Sequence, residues 1–463
     1  MLPIINFKNQ LFLILSLIFF QLTTIFFALK INSLLLFLVP ILIIFLYYLI
    51  VKPQISLLLI GFISIIKSFF IEQFEFFQMV DLTLLLIVLI WLSLIFYFLK
   101  GELVIPSWSI KILISFFLFT IFITFSGLYS ASPNYGWLKI LRFSILSSTI
   151  FITPIIFLKN SKDSKSMLNY FKIISVMILA GMLMNLIFLF LSGELISYLI
   201  RVSILGANPI ALSRTLAAIA AMVTVIGIRR KGFQQLLSLI ILIPILLAIV
   251  STGSRGPLVS YFLGMIIFTI LFELKNFKFR SFFSISISIL FVIILFNILP
   301  ENLTSRFVNI AQGDNILSSA GFENVNTINS RLDFYLMSIN TWISDFKTFA
   351  VGLGSGGFSS LFLWRDFRWY PHNIFLEILV EFGIIGIFLI LTFMFFSIKQ
   401  LITYKKYNYL SENSAVWISG TLVMFFSAQF SGDLNDNRIL LMFLAISLSS
   451  INLDKNPELE KIV

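Results

Sequence analysis

The chain has 463 residues, 59% of them hydrophobic and only 11% charged, with a mean hydropathy of +1.05 and a formal net charge of +11. Apolar runs long enough to cross a bilayer core follow one another with little polar sequence between them, which excludes a soluble domain of useful size and describes a polytopic membrane protein. The absence of cysteine removes disulfides, thiolate metal sites and cysteine nucleophiles together, and a basic charge spread through short loops fits membrane topology better than nucleic acid.

The first apolar run, 11–29, has one lysine before it and no small-residue cleavage site after it. Further spans follow at once, so it is expected to be a retained helix and not a signal peptide. Helices are then predicted at 31–51, 55–71, 80–99, 110–128, 140–158, 171–192, 208–228, 234–251, 257–273, 281–299, 373–398, 412–431 and 436–452. The expected fold class is all-α, a polytopic transmembrane helical bundle of about 12–14 spans with one long, partly helical loop on the outer, periplasmic face. Four segments follow: N-terminal helices over 1–199, central helices over 200–299, the long loop over 300–371 and C-terminal helices over 372–463.

With the N-terminus inside, sixteen of nineteen basic residues on the inner side are lysine, as loops that stay in the cytoplasm require. On the outer side nine of twelve are arginine. Guanidinium is a planar fork that grips phosphate or carboxylate with two parallel bonds, so an arginine-rich face suggests a bound anion. Random arginine use, or pairing with the outer acids, is the plain alternative.

In chain order, "RVSILGANPIALSR" (201–214) sets Arg201 ahead of Gly206, Asn208 and Pro209 at a helix start. "STGSRGPLVSYFLG" (251–264) brings Ser254, Arg255 and backbone N–H groups to another helix start, next to Pro257, which suits a phosphate. A tight turn with a snorkelling arginine is the competing reading of either segment. In the long loop, Ser330 and Asp333 form a capping signal, and Leu332, Tyr335, Leu336, Ile339 and Ile343 repeat at helical spacing. They predict an amphipathic helix that packs on the outer mouth or lies at the interface. Arg331, in its first turn, opposes the helix dipole unless an anion or an acid such as Asp333 is near.

"VGLGSGGFSS" (351–360) follows no strand and lacks a phosphate-loop lysine, so it is expected to be a mobile turn returning the chain to the membrane. Around it stand Phe358, Phe362, Trp364, Arg365, Phe367, Arg368, Trp369 and Tyr370. The aromatic residues suit an interfacial belt, or stacking on sugar rings. His372, the only histidine, lies where this loop re-enters the bundle and could take a proton from an attacking hydroxyl, or be an interfacial ring bonded to a backbone carbonyl. Asn373, Glu377 and Glu381 follow on one stripe, and carboxylates within a span usually face a polar cavity or a partner. The acids of "SGDLNDNRI" (431–439), and Glu72, Glu75 and Asp81, form no recognisable ligand set, so no metal is expected.

"TGSRG" before a helix, "NSRLDFYLMSINTW", "VGLGSGGF" and "PHNIFLEILVEFGIIGIFLILTF", in that order over roughly 200–398, together resemble the superfamily of O-antigen ligases and O-antigen polymerases. The resemblance implies a multi-pass enzyme of the bacterial inner membrane, acting in lipopolysaccharide or other polysaccharide biosynthesis, with its active site facing the periplasm or cell exterior. The implied donor is an undecaprenyl-pyrophosphate-linked glycan, the acceptor a glycan or glycolipid, and a chain-length regulator a further partner; no cofactor, metal or nucleic acid is implied. Carried over, Arg255 and Arg331 would hold the donor pyrophosphate and His372 would orient or deprotonate the acceptor; Arg201, Ser254, Asn373, Glu377, Arg365 and Arg368 are further candidates for lining the substrate site. About fourteen predicted helices, against the roughly twelve usual for ligases, tilt the reading to a repeat-unit polymerase over a ligase acting on lipid A core. A flippase or transporter of a lipid-linked anion is the alternative of another class, although no internal repeat is seen.

Overall fold

The computed structural model describes residues 38–63, 65, 67–68, 71, 81–192, 202–203, 207–273, 278–299, 327–362, 366–402 and 410–454. Among them are helices and no strand: α1 Leu38–Val51, α2 Pro53–Gly61, α3 Leu82–Leu99, α4 Ile110–Ser126, α5 Pro133–Leu141, α6 Ser148–Phe157, α7 Ser161–Leu191, α8 Pro209–Arg229, α9 Phe233–Ser251, α10 Arg255–Phe268, α11 Lys278–Ile298, α12 Thr327–Trp342, α13 Phe346–Val351, α14 Ile374–Ile402, α15 Glu412–Ser427 and α16 Arg438–Asp454. The protein is an all-α polytopic bundle, with nine helical segments among the described residues long and apolar enough to cross a membrane. The expected helix at 11–29, and the residues Arg201, Glu72, Glu75, Trp364 and Arg365, lie outside the described residues.

Local chemistry sets where the helices start. Asp81, Asn160, Asn208 and Ser411 each accept a backbone N–H in the first turn of α3, α7, α8 and α15, and Pro53, Pro133 and Pro209 occupy first-turn positions where a missing N–H costs nothing. Two starts fall earlier than expected. Pro133 begins a span that continues through a π-helical turn, Arg142–Ser147, to Phe157, and Asn160 begins one helix of 31 residues, so the polar stretch 161–170 is helical too. At Pro53 the chain turns sharply, and Ile43–Val51 with Pro53–Gly61, within the expected helices 31–51 and 55–71, form a bent unit with an angle of 98°.

The centre is built by α8, which packs on α9, α10 and α15, while α15 also packs on α10 and α16. Small residues allow the approach: a Cβ on Gly264 would lie 2.6 Å from Val423, and one on Gly420 would lie 2.5 Å from Met222. α14 lies on α4, and α16 on α6. Outer helices turn large apolar side chains such as Trp91, Phe117, Met177 and Phe388 outward, as lipid-facing surfaces require.

Candidate active site

One end of the bundle gathers the start of α5, the start of α10, α12, the turn 352–357, the start of α14 and the connection 428–437. The turn is not the loose return expected from its glycines. Gly352, Gly354 and Gly356 have φ of 71°, 83° and 72°, in the left-handed region that glycine enters freely. A Cβ on Gly352 would lie 2.3 Å from the carbonyl carbon of Glu381, and one on Gly354 would lie 2.6 Å from the Cα of Ser130. The Leu353 and Gly354 N–H groups donate to the carbonyls of Val380 and Glu381, Ala131 N–H donates to Leu353 O, and Ser130 Oγ donates to Ser355 O. The turn is thus a buried wedge between α14 and the segment before α5. Gly383 (φ 62°) interrupts α14 where Ala350 presses against it.

Beneath the wedge lies a buried ion triad. Lys139, on α5, is 1% exposed and donates to Glu377 Oε1 and Glu381 Oε2, each at 2.5 Å. Glu377 Oε1 also accepts the N–H of Leu434, and Asn435 Nδ2 donates to the Lys139 carbonyl. The stripe of carboxylates expected on α14 therefore has a protein partner, and Glu377, expected to line the substrate site, is committed to Lys139 and to the 428–437 connection. Sequence reading placed Lys139 among the loop cations, because nothing but its position within "GWLKILRF" marks it as a core residue.

A second set of charges lies above. Arg368 donates through Nε to Asp433 at 2.9 Å and through Nη2 to Asp436 at 2.5 Å. Its fork is occupied by protein carboxylates instead of being open to a substrate anion. Burial alone would raise the pKa of Asp433, but Arg368 and then Lys139 bring it below the ordinary carboxylate range. Tyr135 donates to the same oxygen of Asp433, and Asp366 accepts the Asn134 and Tyr135 N–H groups at the start of α5. Arg214, inside α8, donates to Asn437 Oδ1 and presses on Gly432. The acids of 431–439 are thereby ligands of arginine, a role that their spacing along the chain does not disclose.

His372 follows Pro371 with φ +60°, a left-handed conformation unusual for a residue with a side chain. Asn373 follows and caps α14, its Oδ1 accepting the N–H groups of Phe375 and Leu376 while its Nδ2 donates to Gln429 O. The imidazole lies 6.2 Å from the Phe334 ring, nearly parallel to it, and 4.5 Å from that of Tyr370. Its Nδ1 is buried without a hydrogen-bond partner among the described residues. Burial, then the charges of Arg331 and Arg368, lower its pKa to about 4, against an opposing effect of Asp433.

Arg331 lies in α12, which begins by Thr327 and so takes in Ser330, the expected cap. No acid among the described residues pairs with Arg331, Asp333 included. The helix meets the protein through Phe334, which packs edge-on against Phe358, Phe362 and Trp369. The aromatic residues expected to form a belt mostly pack on one another there. Of the expected apolar stripe, Leu332, Leu336, Ile339 and Ile343 are exposed and Tyr335 is half-buried, which fits a helix lying at the interface and not one packed by this stripe on the outer mouth.

α10 starts at the same end: a Cβ on Gly256 would lie 2.9 Å from Phe430, one residue beyond the Gln429 that holds Asn373. Ser254 is its N-cap residue but makes no capping bond, and its buried Oγ has no partner among the described residues. The first N–H groups of α10 thus lack the usual side-chain acceptor, beside Arg255. His372, Asn373, Arg368 and Arg331 are brought together, with Ser254 and Arg255 alongside. Lys139, Arg214, Tyr370, Asp433 and Asp436 complete the surroundings that the motifs did not reveal. The arrangement offers a neutral imidazole, an arginine without a paired acid and an uncapped helix start, which suit proton transfer beside an anion.

Residues 237–391 match the family model described as O-Antigen ligase. No curated protein matches the chain.

Proposed function

From the match of residues 237–391 to the family model described as O-Antigen ligase, we propose that this chain is a membrane glycosyltransferase that transfers a glycan from an undecaprenyl-pyrophosphate donor to an acceptor hydroxyl on the periplasmic or outer face of the bacterial inner membrane. The observation that carries this reading is His372: a buried, uncharged imidazole with an unpartnered Nδ1, held in a strained backbone conformation next to Arg331. In this scheme Arg331, Arg255 and the start of α10 hold the donor pyrophosphate. The acceptor oxygen bonds to the anomeric carbon, the bond from that carbon to the pyrophosphate oxygen breaks, and the acceptor proton passes to His372. Charge gathers on the departing lipid pyrophosphate, where guanidinium groups in a water-poor site supply about 3 kcal/mol each. Arg368 and Asn373 shape the pocket around the acceptor, and Glu377 keeps the first turn of α14 in place through Lys139.

The fourteen helices predicted from the sequence favour a polymerase of O-antigen or capsular repeat units over a ligase that delivers the finished glycan to lipid A core. Purified protein supplied with a synthetic undecaprenyl-pyrophosphate repeat unit as sole substrate tests this directly. A ladder of lengthened glycans, lost in His372→Ala while donor binding persists, is the expected result. Consumption of the donor only after lipid A core is added makes it a ligase, and transfer unaffected by His372→Ala refutes the role of the histidine. Arg255→Lys and Arg331→Lys each weaken donor affinity by about tenfold, because a point charge does not reproduce the fork; unchanged affinity would assign both arginines to structure.

A further inference from the structure

At the end of the bundle opposite His372, two cavities open side by side. α15 runs from Glu412 at this end to Ser427 near Asn373, so the two faces are a full helix apart. One cavity, of about 500 Å³, is polar, with Lys165, Asn169, Lys172, Arg230, Ser411 and Asn413 in its wall beside the carboxylates of Glu412 and Asp454, the latter accepting the Ser411 N–H. Its neighbour, of about 690 Å³, is walled largely by Val104, Pro106, Trp108, Ile155, Ile156 and Leu158. Ser161, Lys165 and Leu453 line both.

The charges around them are unequally engaged. Arg230 is bound through two nitrogens to Glu412, and the Lys159 ammonium is bound to the carbonyl of Glu102. Lys162, Lys165 and Lys172 pair with no acid among the described residues. Lys165 and Lys172 are seven residues apart, two turns along one face of α7. Asn413 Nδ2 donates to Ser164 Oγ, and its buried Oδ1, which has no donor among the described residues, can accept from a headgroup hydroxyl. Topology explains why lysines gather on one face of a membrane protein. It does not explain a basic polar chamber joined to an apolar one with a tryptophan in its wall.

We infer that this double cavity is a binding site for an anionic membrane phospholipid. The phosphate headgroup lies by Lys165 and Lys172, hydrogen-bonded by the serine and asparagine side chains of the polar chamber, and an acyl chain lies against Trp108, Ile155 and Ile156, with Lys162 in the wall of that second chamber. Basic pockets on the cytoplasmic side of a membrane protein attract anionic headgroups. The bound lipid ties the starts of α7 and α15 to the end of α16. The site stands apart from the glycan-transfer site and does not depend on that function.

The full-length protein, delipidated in detergent, is offered phosphatidylglycerol, phosphatidylcholine or glycerol 3-phosphate, and bound molecules are counted by native mass spectrometry. Expected is retention of phosphatidylglycerol in preference to phosphatidylcholine, with a rise in melting temperature. The triple variant Lys162→Gln, Lys165→Gln, Lys172→Gln lowers that retention about tenfold or more, while Lys399→Gln, outside both cavities, leaves it unchanged. Val104→Trp, at the exposed rim of the apolar chamber, lowers retention of the lipid only. Equal retention of both lipids, or no loss in the triple variant, overturns the proposal. Displacement of phosphatidylglycerol by equimolar glycerol 3-phosphate also overturns it, because the site would then read a free phosphate ester without its chain.

Discussion

With a pKa lowered to about 4, His372 is unprotonated through the whole neutral range. A base of this kind fails only as the pH falls through its own pKa, so kcat/KM for the free enzyme holds its plateau down to about pH 5. Arg331 is one cause of the low value, and removing a nearby cation raises the pKa of an imidazole. In Arg331→Gln the acid limb of kcat/KM therefore moves to higher pH, whatever happens to its absolute height. A limb that stays in place would show that another group titrates. Lys139 governs a different property. In Lys139→Met two fully buried carboxylates lose their cation, a loss that costs about 3–5 kcal/mol when one partner of a buried pair is removed. Thermal unfolding in detergent reads this as a large drop in melting temperature, and adding Glu377→Gln with Glu381→Leu restores most of it. A drop no larger than that of an exposed pair would mean that water reaches the triad.

Among the elements, the turn 352–357 is the most constrained by shape. Gly352 and Gly101 share a left-handed backbone, φ 71° and 68°, but a Cβ at Gly101 meets nothing within 4 Å whereas one at Gly352 meets the Glu381 backbone at 2.3 Å. Alanine at Gly101 pays the conformational cost alone, about 1–2 kcal/mol. Alanine at Gly352 must also push α14 away, and with it the residues just after His372. Gly352→Ala is expected to lower the melting temperature at least twice as far as Gly101→Ala and to abolish glycan transfer, which Gly101→Ala leaves intact. Similar effects of the two would show that the wedge yields easily. The glycines themselves were visible in the sequence; their burial was not, since spacing does not tell whether a flexible residue serves motion or close contact. α12 was likewise legible as a helix, but its apolar stripe turned outward and Phe334 inward, because the surroundings that receive it are aromatic and lie far away in the chain.

For the whole molecule, hydropathy alone located seven of the nine described spans within a few residues, since a bilayer demands a run of apolar length wherever the chain crosses. The site was legible where chemistry was rare. One histidine in the chain, and arginine in place of lysine, were enough to draw attention to His372, Arg255 and Arg331. Lys139, Asp433 and Asp436 were hidden for the opposite reason: each resembles an ordinary charge at the end of a span, and only the ion pairs of Lys139 with Glu377 and Glu381, and of Arg368 with Asp433 and Asp436, show what it meets. The same absence of cysteine that removed disulfide chemistry makes the chain ready for labelling. With α14 running from the His372 face to the other, Ser344→Cys in intact cells is expected to react with a membrane-impermeant maleimide, and Gly232→Cys only after permeabilisation. The reverse pattern would turn the active site toward the cytoplasm and remove the proposed donor from reach.

Lys139 stands nearly a hundred residues ahead of the segment that matches the family, yet both carboxylates it neutralises lie within that segment. The matched segment is therefore not a cassette. A chimera that grafts 237–391 onto the helices of a relative would place two carboxylates in a bilayer with no counter-ion, unless the recipient supplies a lysine at the point corresponding to Lys139. Exchange of parts between such proteins is thus limited less by the residues that touch the glycan than by a single ammonium group that never meets it.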